Sequence, residues 1–431
     1  MTAASLMGLC LMALATMGLR PPGLYAAVLG VALVCPWRGR VRDGLDAAGL
    51  TTWSRGCGGA AILAAAAVAN LIGGGQLDGH LLYGGDYHTY YVGAVVGVQH
   101  GWANLFDVSL QSSAWNASPG AFREFLPYLN TPPTAWILTP MMGLPYEVGY
   151  VIFVTLMVAV AVAVAWLIGT SWRDRLLLVL AGAATWVLVM SFASGQNAVL
   201  GALAVVLCWR LIEADRRVLA GIALALVALR PNAAFLVPVA LLVAGERRVF
   251  LAWLGASAVL GMAVAASLGT HGLQQFVDLA VFVRRTHPSS TLLTIQQVVG
   301  PGAAAWGLQL LTGLAAAVVG ARRARGNTAM VIAAGLLGSL LLSPYLHMQD
   351  FLPPLAMMAA LVVRQHDQAA MAILLLLLAV APPGWAFGDA WPATFTAVEL
   401  VWLGWLLLRG RDIHRKFPVF TQKRHSLLGE A

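Results

Sequence analysis

A carboxylate set between glycines and aromatic rings opens one polar stretch of the chain, Gly84-Gly85-Asp86-Tyr87-His88-Thr89-Tyr90-Tyr91. The two glycines let another backbone approach closely. An aspartate crowded by rings can act as a general base or hold sugar hydroxyls, with His88, Tyr90 and Tyr91 as neighbouring binding groups. Asp is also a strong helix N-cap, so Asp86 can serve by opening the helix that follows it. The two roles are compatible, because a cap fixes the side chain in place.

Four further polar groups stand apart from one another along an otherwise apolar chain: Gln196-Asn197, Arg230, Arg284-Arg285-Thr-His287 and His347. Arg230 lies between two apolar runs, 218–230 and 232–245, each too short for a full membrane crossing and each flanked by basic residues. Such a hairpin would carry its tip into or near the outer half of a bilayer, where a charge is costly and usually functional. Pro231 breaks the helix there and frees carbonyls. An arginine fork suits a phosphate; a snorkelling Arg at an ordinary span end is the alternative. The Arg284, Arg285 and His287 cluster can bind a lipid phosphate or rest on outer headgroups. His347, between Pro344 and Asp350, can donate to a phosphate, position an acceptor hydroxyl, or bond a backbone carbonyl.

The elements that must position these groups follow from composition. The 431 residues are 60% hydrophobic and 10% charged, with a mean hydropathy of +0.79. A soluble domain of this size could not bury so much apolar surface, so the surplus faces lipid. Apolar runs near 3–19, 22–36, 57–74, 146–168, 176–193, 197–212, 218–230, 232–245, 249–269, 299–321, 327–343, 350–364, 368–383 and 393–408 give roughly 11 to 14 spans. None alternates as a barrel strand would, so the fold class is an all-α integral membrane protein, a polytopic helical bundle. With the N-terminus inside, the outer segments hold only Arg20, Arg123, Arg230, Arg284 and Arg285 of the 26 Lys and Arg residues. This is the positive-inside pattern, and the net charge of +8 needs no nucleic-acid partner. The basic tail 409–431 reads as a strip on anionic lipid headgroups or as a solvated tail.

The chain therefore divides into a single transmembrane domain over 1–408 and the tail. Within it, 73–147 forms a first outer loop and 270–298 a second. The first is long and rich in Tyr, Trp and Pro, which suits a folded cap better than disorder; its apolar stretch from Val92 to Trp102 reads as a helix lying in the interface. Cys10, Cys35, Cys57 and Cys208 have no metal-ligand spacing and read as small hydrophobes. No phosphate-binding loop, dinucleotide fingerprint or zinc motif is present. No cofactor is expected; the lack of a second outer carboxylate beside Asp86 argues against a metal, and Asp78 and Asp350 are the carboxylates that could come near it in space.

Gly85-Asp86-Tyr-His-Thr-Tyr90-Tyr91, with Asn104-Leu-Phe-Asp107 downstream, resembles the first luminal loop of glycosyltransferase family 87. The likeness continues, in order, through Tyr128-Leu-Asn-Thr-Pro132-Pro133, Leu144-Pro145, Gly195-Gln196-Asn197, Arg230-Pro231-Asn232 and Ser343-Pro344-Tyr-Leu-His347-Met-Gln-Asp350. It departs where many relatives carry Lys in place of Arg230, and where residues are inserted before Pro132. These relatives are polyprenol-phosphate-mannose-dependent mannosyltransferases of the GT-C superfamily. The resemblance implies an enzyme of a bacterial cytoplasmic membrane with its active site on the outer face. It implies transfer from a lipid-linked sugar donor to a glycolipid or glycan acceptor, with inversion. Asp86 and His347 would be catalytic. Arg230, Arg284, Arg285, Gln196 and Asn197 would hold the donor phosphate. His88, Tyr90, Tyr91, Tyr128, Asn232, His287 and Asp350 would face sugar or acceptor. Two other readings stand beside it: a GT-C transferase of another sugar such as arabinose or glucose, and a transporter or flippase of lipid-linked saccharides. The transporter would show internal repeats with matched broken helices; the single large outer loop argues against it.

Overall fold

The computed structural model describes residues 84–119, 125–183, 185–286, 292–380 and 391–409, and every regular element among them is helical. The expected spans at 3–19, 22–36 and 57–74, together with Cys10, Cys35, Cys57, Asp78, Arg123, His287 and the residues beyond 409, lie outside the described residues.

Three short helices build the cap: α1 (Gly85–His100), α2 (Val108–Ala117) and α3 (Pro132–Leu138). The first begins well before Val92, where the apolar stretch led us to place it, and so takes Asp86 into its opening turn. Gly84 occupies the N-cap position at φ 77°, with no side-chain cap, so Asp86 does not open the helix as an N-cap. Capping by an aspartate occurs instead at Asp107, whose carboxylate accepts from the backbone N–H groups of Ser109 and Leu110.

The bundle follows. It comprises α4 (Tyr146–Ile168), the bent pair α5 (Trp172–Ala183) and α6 (Trp186–Ser194), then α7 (Ala198–Glu213). Next come α8 (Arg217–Leu224) and α9 (Val237–Ala244), joined through two tight helical turns at 225–229 and 231–233. The long α10 (Arg247–Thr286) bends at Gly269, where the apolar run was expected to end. The remaining helices are α11 (Ile295–Val299), α12 (Ala303–Leu314), α13 (Thr328–Leu342), α14 (Leu352–Gln365), α15 (Gln368–Val380) and α16 (Trp391–Arg409).

Among the described residues, four helices are long and apolar enough to cross a membrane, at 146–168, 247–283, 303–323 and 391–408, and the bent α5–α6 pair passes the same test taken together. Four shorter apolar helices lie between them, including both arms of the Arg230 hairpin. Their positions match the apolar runs read from the sequence. The chain is a membrane protein of polytopic, all-helical architecture.

Burial sorts these helices by role. α10 shows only 6% of its most apolar window buried, so its apolar side chains face outward. By contrast α13 is buried from Ala329 to Leu341 and forms the centre of the bundle. Ser339 on α13 donates to the Gly335 carbonyl and accepts the Leu236 N–H at 2.8 Å, pinning the start of α9. Gly335 also faces the Val237 backbone so closely that a methyl group there would stand 2.6 Å from its Cα. The tip of the hairpin is thus seated on the core helix.

The sidedness is open to a direct check. With native cysteines removed, Ser113→Cys should react with a membrane-impermeant maleimide from outside intact cells. Ala214→Cys should react only after permeabilisation. Reversed labelling would invert the assignment.

Candidate functional site

Gly195 is what brings the cap to the bundle. It ends α6 in the left-handed conformation, φ 72°, which glycine adopts at no steric cost. A Cβ there would lie 2.5 Å from the Tyr87 Cβ. The turn therefore sits directly under the first turn of α1, and the Gly84 N–H donates to the Ala193 carbonyl at 2.7 Å. Tyr150 donates to the same carbonyl at 2.8 Å. The consequence is chemical: the residues on either side of the glycine, Ser194 and Gln196, stand beside the Asp86 carboxylate and favour its ionised form.

One turn after Asp86, Tyr90 shares its helix face and donates to Gln196 Oε1 at 3.0 Å and to Asn197 Oδ1 at 3.4 Å. Asn197 in turn donates to Thr134 Oγ1 at 3.3 Å. Gln196 Oε1 also accepts from Arg230 Nη1. Gln196 is therefore the hub joining α1, the α6–α7 turn and the hairpin tip, and it is buried.

Arg230 sits at the break between the two hairpin arms, with φ −149° and ψ 79°. The carbonyls freed by that break are answered from the cap: Thr131 donates to the Ala228 carbonyl at 3.0 Å and Thr134 to the Leu229 carbonyl at 3.4 Å. Its side chain is 12% exposed, and Nε donates to Asp350 Oδ1 at 2.5 Å, on a carboxylate that is 0% exposed. The guanidinium is thus held by a buried carboxylate of the protein itself. The other Asp350 oxygen accepts the His347 N–H at 2.9 Å, closing the tight turn Met348–Phe351 as a capping box. The loop carrying His347 is held further by Gln309, which donates to the Ser343 carbonyl at 2.9 Å, and by the Leu293 N–H on the Leu346 carbonyl.

Asp86, Tyr90, Gln196, Asn197, Arg230, His347 and Asp350 thus meet, although they come from four separate segments of the chain. Asp86 remains partly exposed within this group. Burial raises its carboxyl above the usual carboxylate range, and Arg230, Ser194, Gln196 and His347 offset that only in part. Burial lowers the His347 imidazole below its ordinary value, so that its neutral form, with one ring N–H, is favoured. One carboxylate that can take a proton, one fixed guanidinium and one neutral imidazole stand together.

Other expected residues are placed differently. His88 lies on the opposite side of α1 from Asp86, its ring 4.3 Å from that of Trp115 and its Nδ1 3.3 Å from the Tyr146 hydroxyl. Burial pushes it down to about 4. Tyr91 packs edge-on against Tyr146. Tyr128 is wholly buried under Gly93, donating to the Thr131 carbonyl at 2.6 Å. Asn232 is half-buried in the turn after Arg230. Arg284 and Arg285 lie at the C-terminal end of α10. Two polar residues near the carboxylate escaped the sequence reading. Ser194 directly precedes Gly195-Gln196-Asn197, and Tyr345, its ring 4.9 Å from that of His347, falls inside the Ser-Pro-x-x-His block. Adjacency to those motifs was the available signal. Among the described residues no group of three or more His, Cys, Asp and Glu is arranged to hold a metal ion.

A family model for glycosyltransferase family 87 matches residues 128–344. Gln196, Asn197 and Arg230 fall inside the match, whereas Asp86 stands before it and His347 and Asp350 just after it. Neither curated proteins nor solved structures give a match.

The seating of the turn on α1 yields a stability test. Gly195→Ala should cost about 1–2 kcal/mol from its left-handed backbone alone, and more from the contact with Tyr87. Gly307→Ala, where a methyl group meets nothing within 4 Å, serves as the control and should leave stability unchanged or slightly raised. Thermal unfolding of the purified proteins reads both.

Proposed function

Because the chain belongs to glycosyltransferase family 87 and is a membrane glycosyltransferase, we propose that it moves a mannosyl residue from polyprenyl-phosphate-mannose to a glycolipid or lipid-linked glycan on the outer face. The observation that carries this reading is the convergence of Asp86, Gln196, Arg230 and His347 on one partly open site. A lipid-phosphate sugar needs a cationic or hydrogen-bonding group at its leaving phosphate and a base at the attacking hydroxyl. Arg230 suits the first need and Asp86 the second, and the two are close enough to influence each other.

In the proposed step the acceptor hydroxyl oxygen attacks the anomeric carbon as the bond from that carbon to the phosphate oxygen breaks. The electron pair leaves with the phosphate, and the hydroxyl proton passes to Asp86. The configuration inverts. Arg230 faces the charge that develops on the phosphate, using guanidinium N–H groups beyond those bound by Asp350 and Gln196. His347, kept neutral by burial, supplies an N–H to the same phosphate. Tyr90, whose hydroxyl also reaches Asn197, holds Gln196, and with it the distance between the base and the cation.

Membranes containing the protein, given labelled polyprenyl-phosphate mannose and extracted lipid acceptors, should yield a mannosylated lipid with inverted anomeric configuration. No product from that donor, with transfer from another polyprenyl-phosphate sugar, would move the reading to that sugar. Asp86→Asn should abolish detectable turnover while donor binding persists, since a positioned base contributes roughly 10²–10⁴-fold.

The wild-type rate should fall as pH drops through the raised Asp86 value, so its acid limb should lie above the ordinary carboxylate range. A limb at the ordinary value would remove Asp86 from the proton transfer. Arg230→Lys should retain partial activity, having charge without the fork, and Arg230→Ala should raise donor KM and lower kcat. Wild-type kinetics in a folded Arg230→Ala protein would separate Arg230 from the donor.

A further inference from the structure

Arg230 stands between two carboxylates, and they are not equivalent. Asp350 is fully buried, with one oxygen on Arg230 Nε and the other on the His347 backbone N–H. The tight turn that carries it leaves its side chain no freedom to swing. Asp86 is partly exposed, on the first turn of a helix, and feels Arg230 without a direct hydrogen bond among those described. A guanidinium seeks the carboxylate that offers the better-made pair, and a buried cation cannot stand without one. If Asp350 did not hold it, the nearest anion would be Asp86.

We infer that Asp350 is a positioning residue: its carboxylate anchors the Arg230 guanidinium away from Asp86, leaving an Asp86 oxygen free to accept the acceptor's proton. The inference rests on the reading of Asp86 as the base. It also gives Asp350 a task other than contact with sugar or acceptor, for which its burial leaves no open oxygen. A base captured in an ion pair is less basic and sterically occupied, so one carboxylate must neutralise the arginine for the other to work.

The charged and titratable groups facing Asp86 are Arg230 from the hairpin and His347 from the 343–351 loop, beside the neutral Ser194 and Gln196. Tyr90 and Tyr345 are also within electrostatic reach. Asp350→Asn removes the anchoring charge alone. In that variant kcat should fall on the order of 10²-fold, as expected for misplacement of a reacting group, while donor KM changes far less. The acid limb of kcat/KM should move to lower pH, because Arg230 now pairs with Asp86 and favours its ionised form. Asp350→Glu restores the charge and should return the limb towards its wild-type position. A purely structural Asp350 would reduce the yield of folded protein and leave the limb where it was, which would overturn the proposal.

The same titration can be followed without any substrate, as the infrared band of the protonated Asp86 carboxyl, identified by its loss in Asp86→Asn. If the wild type transfers nothing, the functional reading fails, while this band still decides the inference: a lower midpoint in Asp350→Asn supports it and an unmoved one overturns it. Should Asp350→Asn not fold, Arg230→Gln with Asp350→Asn removes both charges. The Asp86 midpoint must then rise above wild type, and a fall would overturn the assignment.

Discussion

A guanidinium at the tip of a half-length hairpin, its side chain only 12% exposed, is costly to bury without a partner. The buried pair between Arg230 and Asp350 answers that cost, and much of the surrounding architecture follows from it. Asp350 must be rigid, so it sits in a tight turn closed by its own second oxygen. That turn must be held, so Gln309 and Leu293 bond the loop before it. The broken hairpin must have its carbonyls satisfied, so the cap threonines reach down to it. Removing one partner of such a pair typically costs about 3–5 kcal/mol, which places it among the largest single contributions in a fold.

Gln196 extends this network from Arg230 towards Asp86. Its carboxamide oxygen accepts from both Tyr90 and Arg230, and its side chain stands close enough to Asp86 to favour the ionised carboxylate. A glutamine suits the place because it bonds on both sides without adding a charge that would bias Arg230 or Asp86. The left-handed turn at Gly195 lets this residue and Ser194 meet the helix carrying Asp86. The site therefore rests on a close approach of two backbones, with polar side chains spanning the gap. Low dielectric strengthens each of these bonds and makes each unmade one costly, so the cluster is both rigid and sensitive to substitution.

The distribution of apolar residues around this cluster divides the bundle. α13 is buried on every side and acts as the post against which the hairpin is seated. α10 presents an almost wholly exposed apolar surface, as a lipid-facing helix should. The polar cluster gathers where helices terminate at Ser194, Arg230 and Ser343 and their free ends supply turns and polar groups. Irregular backbone at such depth is tolerated only where protein covers it or a cavity receives it.

Hydropathy was enough to establish an all-helical membrane protein and the approximate place of the apolar helices among the described residues, because lipid imposes that pattern locally along the chain. The same reading marked Arg230 as a charge out of place and Asp86 as a carboxylate among rings. It could not choose between Asp86 as cap and as site residue, since that turns on where the helix starts, and packing moved the start to Gly85 with Gly84 as its cap. Nor could it separate His88, Tyr91 and Tyr128, which tertiary contacts turn into the aromatic packing, from Tyr90, which they turn toward Gln196. Asp350 shows the difference most clearly. Its place at the end of a motif was visible in the sequence. Its partnership with an arginine 120 residues earlier was decided only when the bundle closed, because pairing depends on distances that no local pattern encodes.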